Sequence, residues 1–206
     1  MVIAVCSDIH GDIQKLERLA QSLDKAGIPP HKTYICGDLV YTGETIEDQK
    51  CMRLVSERGY NLVLGNHEDT ARHVASEDFS KYLARFAKFT EVENILFSHT
   101  IPPISWGYIE SPEIALGGFE YLSTAHPHIQ ISFVGHTHLP VCFLQSAETK
   151  KIRTEKSSRF SLPKKTRAII SPGSLKKTRK FILYDPEKSE IRRLRLKPRW
   201  NFALLK

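Results

Sequence analysis

Apolar residues follow two alternating rhythms over the first two-thirds of the chain. Short continuous apolar runs at 2–6, 33–36, 61–64, 94–97 and 129–134 read as buried strands. Between them apolar positions recur at helical spacing. After Asp12 these are Ile13, Leu16, Leu19, Ala20 and Leu23, and Gly27-Ile28-Pro29-Pro30 stops the pattern. A second helix is predicted over 45–58, closed by Gly59. A third helical region is predicted over 68–88, with Leu83, Phe86 and Phe89 on its core face. Residues 100–118, rich in proline and glycine, are expected to form a loop, followed by a short helix over 119–126.

From residue 129 onward the rhythm is mainly that of strands, predicted at 129–134, 141–145, 167–170, 180–184 and 190–196. The last alternates Ile191, Leu194 and Leu196 with arginines, and Tyr184-Asp185-Pro186-Glu187-Lys188 before it signals a hairpin turn. Residues 146–166, polar and rich in Lys, Arg and Ser, are expected to be a long exposed loop. Strands alternating with helices, then strands alone, predict one α/β domain over 1–206 whose sheet becomes antiparallel late in the chain.

Five small polar clusters sit at the ends of the first five apolar runs. They are Asp8-Ile9-His10, Gly37-Asp38, Gly65-Asn66-His67-Glu68, Ser98-His99 and Gly135-His136-Thr137-His138. Strands that end at one sheet edge would bring these clusters together. Carboxylates and imidazoles converging there make a site for divalent metal ions. Asp8, His10 and Asp38 offer hard oxygens and imidazole, while Asn66, His99, His136 and His138 add neutral donors. This mixed set suits Mn, Fe or Zn better than Ca or Mg, which favour oxygen alone. The single residue inside D-x-H and H-x-H suggests that extended backbone points both members of each pair into the site. The plainer reading is polar residues gathered at turns, which would need five clusters to coincide in order and spacing. His31, His73, His126 and His128 belong to no cluster and are assigned no role.

Composition narrows the class. The chain has 206 residues, 41% hydrophobic and 26% charged, as an ordinary globular protein does. No stretch approaches the ~20 apolar residues of a membrane span, and no export signal is recognised at the N-terminus. Cysteines at 6, 36, 51 and 142 lack C-x-x-C spacing, which argues against a disulfide framework or a cysteine–zinc site and for a reducing cytoplasm. Residues 1–144 carry 11 Lys and Arg against 18 Asp and Glu, whereas residues 145–206 carry 19 against 5. That basic last third could attract phosphate-rich partners or simply be a solvated surface. Apart from Phe160, residues 150–167 lack the interleaved aromatics of a base-stacking groove, so nucleic acid is a weaker expectation than a small substrate.

D-x-H-G-D, G-D-x-x-x-x-G, G-N-H-E and G-H-T-H, in this order from Asp8 to His138, resemble the calcineurin-like metallophosphoesterase superfamily. Ser171-Pro172-Gly173-Ser174 resembles a late turn in its smaller phosphodiesterase-type members. The resemblance implies a four-layer α/β/β/α sandwich with mixed sheets and a dinuclear metal site at the strand ends. It implies that Asp8, His10, Asp38 and His138 hold one metal, and that Asp38 bridges to a second held by Asn66, His99 and His136. It implies hydrolysis of small phosphomonoesters or phosphodiesters, nucleotides among them, by in-line attack of a metal-bound hydroxide. The implied cofactors are two divalent ions, Mn first, with Fe, Zn, Ni or Co as alternatives. His67 matches the histidine that assists the leaving oxygen without binding metal.

Two positions depart from relatives. Thr100 follows His99 where many have glycine, which would narrow access to the second metal. Tyr41-Thr42 stands where protein Ser/Thr phosphatases have Asp-Arg, so the arginine that grips phosphate in that branch, and in the dinucleoside-tetraphosphate hydrolases, is missing. Two other functions fit the resemblance: a non-catalytic scaffold of this fold, as in a retromer subunit, and a nucleic-acid phosphoesterase using the basic last third. The Ser171–Ser174 turn reads as a tight connection rather than a substrate contact. Trp106, Tyr108 and Ile109 either cap the cleft or pack beneath it.

Overall fold

The structure, a computed structural model, describes residues 1–101 and 107–197. In chain order its elements begin with β1 (Ile3–Cys6), α1 (Ile13–Lys25), β2 (Thr33–Cys36), α2 (Ile46–Arg58) and β3 (Asn61–Val63). There follow α3 (Asn66–Val74), α4 (Glu77–Leu83), β4 (Phe89–Val92), β5 (Ile95–Ser98), α5 (Pro112–Ala125) and β6 (Ile131–Phe133). The rest comprises β7 (Pro140–Ser146), β8 (Ile152–Thr154), β9 (Arg159–Ser161), β10 (Thr166–Pro172), α6 (Leu175–Thr178), β11 (Lys180–Asp185) and β12 (Glu190–Arg195).

The strands form two six-stranded sheets, ordered β3-β2-β1-β11-β12-β9 and β4-β5-β6-β10-β7-β8. Strand parity sorts their apolar side chains onto two faces. In β1, Ile3 and Val5 meet Phe97 of β5 and Phe133 of β6 between the sheets. Ala4 and Cys6 point the other way, onto Leu16, Leu19 and Leu23 of α1 and Val55 of α2. On the far side, Leu96, Phe143 and Ile169 pack on Phe119 and Leu122 of α5. The result is the expected α/β/β/α order of layers. Each large side chain so buried contributes roughly 1.5–3 kcal/mol. Tyr34 of β2 stacks on Phe97 across the gap, with centroids 3.8 Å apart, and so locks the sheets together.

Helix signals act as the sequence suggests. Asp12 caps α1 by accepting the Lys15 amide, and Thr45 caps α2 by accepting that of Asp48. Gly59 closes α2 with φ 67°, a left-handed value that favours glycine.

Four expectations change. The helical region 68–88 breaks at Ala75, because Ser76 caps a new helix by accepting the Phe79 amide. Leu83 is buried as expected, but Phe89 starts edge strand β4 and is exposed. Helix α5 starts at Pro112, inside the expected loop, capped by Ser111. Its Gly118 packs closely there, since a Cβ would press on the ends of Ile169 and Ile101. Finally, residues 146–166 are largely exposed, yet they are not a structureless loop. β8 pairs with β7 in one sheet and β9 with β12 in the other, so backbone pairing organises a polar stretch that has no apolar period.

Candidate functional site

In the first sheet β1, β2 and β3 run parallel, and in the second β5, β6 and β10 do. Parallel strands in one sheet end at the same edge, and the five clusters follow β1, β2, β3, β5 and β6. The first sheet supplies Asp8, His10, Asp38, Asn66 and His67, and the second supplies His99, His136 and His138. The loops after β1 and β2 zip together: the amides of Ile9 and His10 both donate to Asp38 O, and the Asp8 amide to Gly37 O.

All seven expected ligands and His67 gather here. One group of candidate metal-binding side chains is Asp8, His10, Asp38 and His138, and a second is Asp38, His99 and His136. In each group the donor atoms lie within 4.8 Å of one another. His10 Nε2 and His138 Nε2 are 3.0 Å apart, and His138 Nε2 lies 3.3 Å from Asp8 Oδ1. His99 Nε2 lies 3.1 Å from Asn66 Oδ1, 3.2 Å from His136 Nδ1 and 3.3 Å from Asp38 Oδ2. Two atoms held at about 2.1 Å from one ion and at right angles to each other sit about 3 Å apart. The observed spacings fit that. The buried Asp8 Oδ2 has no hydrogen-bond partner among the described residues, a costly arrangement that a cation would relieve.

The backbone reaches this arrangement by an unexpected route. Asp8, His10, Asp38, His136 and His138 have φ of 54°, 45°, 53°, 67° and 58°. Extended alternation therefore does not aim these pairs. β1 ends at Cys6, and left-handed turns carry both members of each pair inward. Left-handed backbone costs a non-glycine residue on the order of 1–2 kcal/mol. Asp and His are among the residues that tolerate it best.

Glu68 and Asp48 hold this backbone in place, although no site role was expected of either. Glu68 Oε2 accepts the amides of Asp38 and Gly65, both at 2.8 Å, and Oε1 accepts that of Val40 at 3.0 Å. Asp48 accepts the amides of Tyr41, Thr42 and Gly43 at 2.8, 3.2 and 3.0 Å. A signal for both was present. Glu68 stands three residues after the N-cap Gly65, and Asp48 three after the N-cap Thr45, where capping boxes place an acid. Both carboxylates reach the site loops as well.

Charges in the site are set by burial and by close pairs. Burial pushes the Asp38 carboxyl up, but the His99 hydrogen bond and charge outweigh it and bring it down to about 2. Burial lowers His99 in turn, yet Asp38 raises it to about 9. Burial takes His10 down to about 4, against the pull of Asp38 and Asp8. Burial and the Asp38 charge lift Glu68 to about 7, against the amides it accepts.

His67 stands apart from the donor groups. Its Nδ1 donates to Tyr41 O at 2.7 Å, which leaves Nε2 directed at the site, 3.9 Å from Asp38 Oδ2. Tyr41 stacks on its ring, with centroids 5.2 Å apart. Across the site the exposed Tyr108 lies parallel on His136 at 4.5 Å, whereas Ile109 is buried. Tyr108 thus caps and Ile109 packs beneath; Trp106 lies outside the described residues. The Ser171–Ser174 turn braces backbone, with Ser174 Oγ donating to Asp8 O at 2.8 Å and the Ser174 amide to His138 O. His126 and His128 lie apart from the cleft and share Glu91.

Residues 1–140 match the calcineurin-like phosphoesterase family. The chain belongs to that family. The match runs from β1 to the start of β7 and takes in every residue of both donor groups. A protein similar in sequence is the uncharacterized protein MJ0912 of Methanocaldococcus jannaschii. It is 27% identical over 195 residues, covering 84% of this chain and 76% of that protein. In fold the chain is similar to a metallophosphoesterase from Sphaerobacter thermophilus (TM-score 0.76, 20% identity, 97% of this chain and 89% of that one). It is also similar to the hypothetical protein PH1004 from Pyrococcus horikoshii (TM-score 0.67, 13% identity, 95% and 88%). All four cysteines are free and buried. Among the described residues no helix is long and apolar enough to cross a membrane.

Proposed function

We propose that this calcineurin-like phosphoesterase hydrolyses small phosphomonoesters or phosphodiesters with two divalent metal ions. The observation that carries the reading is the pair of donor groups sharing Asp38, with donor atoms spaced as ligands of one ion are. Asp8, His10, Asp38 and His138 would hold one ion, and Asp38, Asn66, His99 and His136 the other. Mixed oxygen and imidazole donors favour Mn, with Fe, Zn, Ni or Co as alternatives. Bound there, the ions supply an activated water and neutralise charge on the phosphoryl oxygens.

The chain's own groups do the rest. The backbone clamps of Glu68 and Asp48 fix the donors before substrate arrives, which limits reorganisation during reaction. His67 is held by its Nδ1–H bond to Tyr41 O, which leaves Nε2, the atom facing the cleft, to carry the proton the leaving oxygen needs. From there it passes to the leaving oxygen as the ester bond breaks. Tyr108 walls the side of His136 and restricts the substrate to what fits between it and Tyr41. Buried free thiols accord with a reducing compartment, which we take to be the cytoplasm.

Hydrolysis of an aryl phosphate in Mn²⁺, lost on chelation and regained on adding metal, is the expected result, with about two ions bound per chain. Full activity of metal-stripped protein would overturn the proposal. A scaffold of this fold would show no turnover with any phosphoester while the metal-loaded protein remained folded.

A further inference from the structure

Lys176 lies at the mouth of the site on the His67 side. It follows the Ser171–Ser174 turn, whose anchoring to β1 places it: the Leu175 amide donates to Ser7 O and the Lys176 amide to Asp8 O. The exposed ammonium donates to His10 O at 3.2 Å and stands 5.5 Å from the centre of the Tyr41 ring. The same ring stacks on His67. No carboxylate among the described residues pairs with the Lys176 ammonium, and a single carbonyl takes one of its three N–H groups. Lysines on a solvated surface have no such address. This one is pinned by backbone to the loop carrying Asp8 and His10, beside the ring that covers the proposed proton donor.

We infer that Lys176, with Tyr41, is the specificity-determining residue for the leaving group, and that the enzyme favours phosphoesters whose leaving alcohol itself carries a negative charge. The inference rests on the proposed role of His67, because His67 marks the side from which the alcohol departs. A cation beyond His67 is poorly placed to hold the transferred phosphoryl group, which the Asp38 side of the cleft receives. It is well placed to meet an anion attached to the alcohol. The Tyr41 ring sets the distance between the two, and its partial negative face holds the ammonium beside the ring at the mouth of the site. On substrate binding the ammonium exchanges the neutral His10 carbonyl for a charged acceptor, the stronger kind of hydrogen bond. Nothing else in the segment 37–43 offers a cation for this purpose, since Gly37-Asp38-Leu39-Val40-Tyr41-Thr42-Gly43 has neither Lys nor Arg.

Two aryl substrates of nearly the same shape test this: 4-carboxyphenyl phosphate and 4-carbamoylphenyl phosphate, which differ in charge on the leaving side. With the full chain in Mn²⁺, the ratio of their kcat/KM values is compared among wild type, Lys176→Met and Lys176→Arg. Wild type is expected to favour the charged ester by roughly tenfold, the size of one partly exposed charge-assisted hydrogen bond. The ratio falls to about one in Lys176→Met and is largely restored in Lys176→Arg. Direct binding of 4-hydroxybenzoate, the charged alcohol product, weakens in parallel. A wild-type ratio near one, or a ratio unchanged in Lys176→Met, overturns the inference and leaves the proposed hydrolysis standing. Absence of turnover with both esters in every form overturns the proposed function itself.

Discussion

Glu68 Oε2 accepts the Asp38 amide at 2.8 Å, so the aspartate common to both donor groups is held from behind by a fully buried carboxylate. Glu68 also accepts the Gly65 and Val40 amides. The loops after β2 and β3 are therefore joined through one side chain. A pair of ions needs those loops in fixed relation, and Glu68 provides it without touching the cleft.

Removing that carboxylate should be costly. Glu68→Ala leaves three buried amides without an acceptor, each worth about 1–3 kcal/mol. A total near 3 kcal/mol would lower Tm by roughly 6–12 °C in a chain of this size. Glu68→Gln keeps one acceptor oxygen but turns an NH₂ toward an amide donor, so it should fall between. Thermal unfolding followed by circular dichroism measures both, and an unchanged Tm in Glu68→Ala would contradict the clamp.

Gly135, in the turn after β6, faces the ends of β1 and β2. A Cβ there would overlap Ser7 Oγ, Cys36 O and His99 Nδ1. The last two are partners, since His99 Nδ1 donates to Cys36 O at 2.7 Å and so fixes which ring nitrogen faces Asp38. Gly135→Ala should destabilise by about 1–3 kcal/mol, as overpacking does. It should also weaken Mn²⁺ binding, because the His99 ring must turn. Urea unfolding and calorimetric titration report the two effects, and wild-type values in both would refute the reading.

Proton linkage should be visible without substrate. In the metal-free chain at pH 7 His99, raised to about 9, carries a proton that a metal must displace. Calorimetric titrations with Mn²⁺ in buffers of different ionisation heat should show proton release, with affinity rising toward pH 9. Release of no proton would exclude a charged His99.

The same groups set the pH dependence of metal-free stability. His99 is raised, so its contribution is present below 6.5 and lost as pH climbs through about 9. His10 is lowered, so the unfolded chain takes its proton first and stability falls from 6.5 down to about 4. Asp38 is lowered as well, and its contribution, present above 3.8, is lost as pH falls through about 2. Glu68 is raised, so its contribution is lost as pH climbs from 4.5 through about 7 and offsets the gain from His10. The four groups together give a plateau between about 4.5 and 6.5 that falls away on either side. Tm measured across pH in the presence of chelator tests it, and a maximum at pH 9 would count against the His99–Asp38 pair.

His67→Ala should leave metal content intact, because His67 belongs to neither donor group. Its kcat should fall by roughly 10²–10⁴. The loss should be greatest for alkyl esters and least for esters of acidic phenols, whose leaving oxygen needs little protonation. A uniform loss across leaving groups would assign His67 to positioning instead.

Much of this was legible in the residues alone. Asp, Asn and His clusters at the ends of short apolar runs named every residue of the two donor groups, because side-chain type and local period are properties of neighbouring residues. The continuous apolar runs likewise read as buried strands, as β1, β2 and β5 are. Only the tertiary structure decided what depends on contacts between distant segments. His10 and His138, 128 positions apart, come to 3.0 Å because two different sheets end side by side. The left-handed backbone at Asp8, His10, Asp38, His136 and His138 is imposed by bonds between loops, such as Ile9 to Asp38, which no local pattern encodes. The pairing of β8 with β7 and of β9 with β12, and the seat of Lys176, were equally invisible, since a polar strand edge and a surface lysine gain their meaning from what lies across from them.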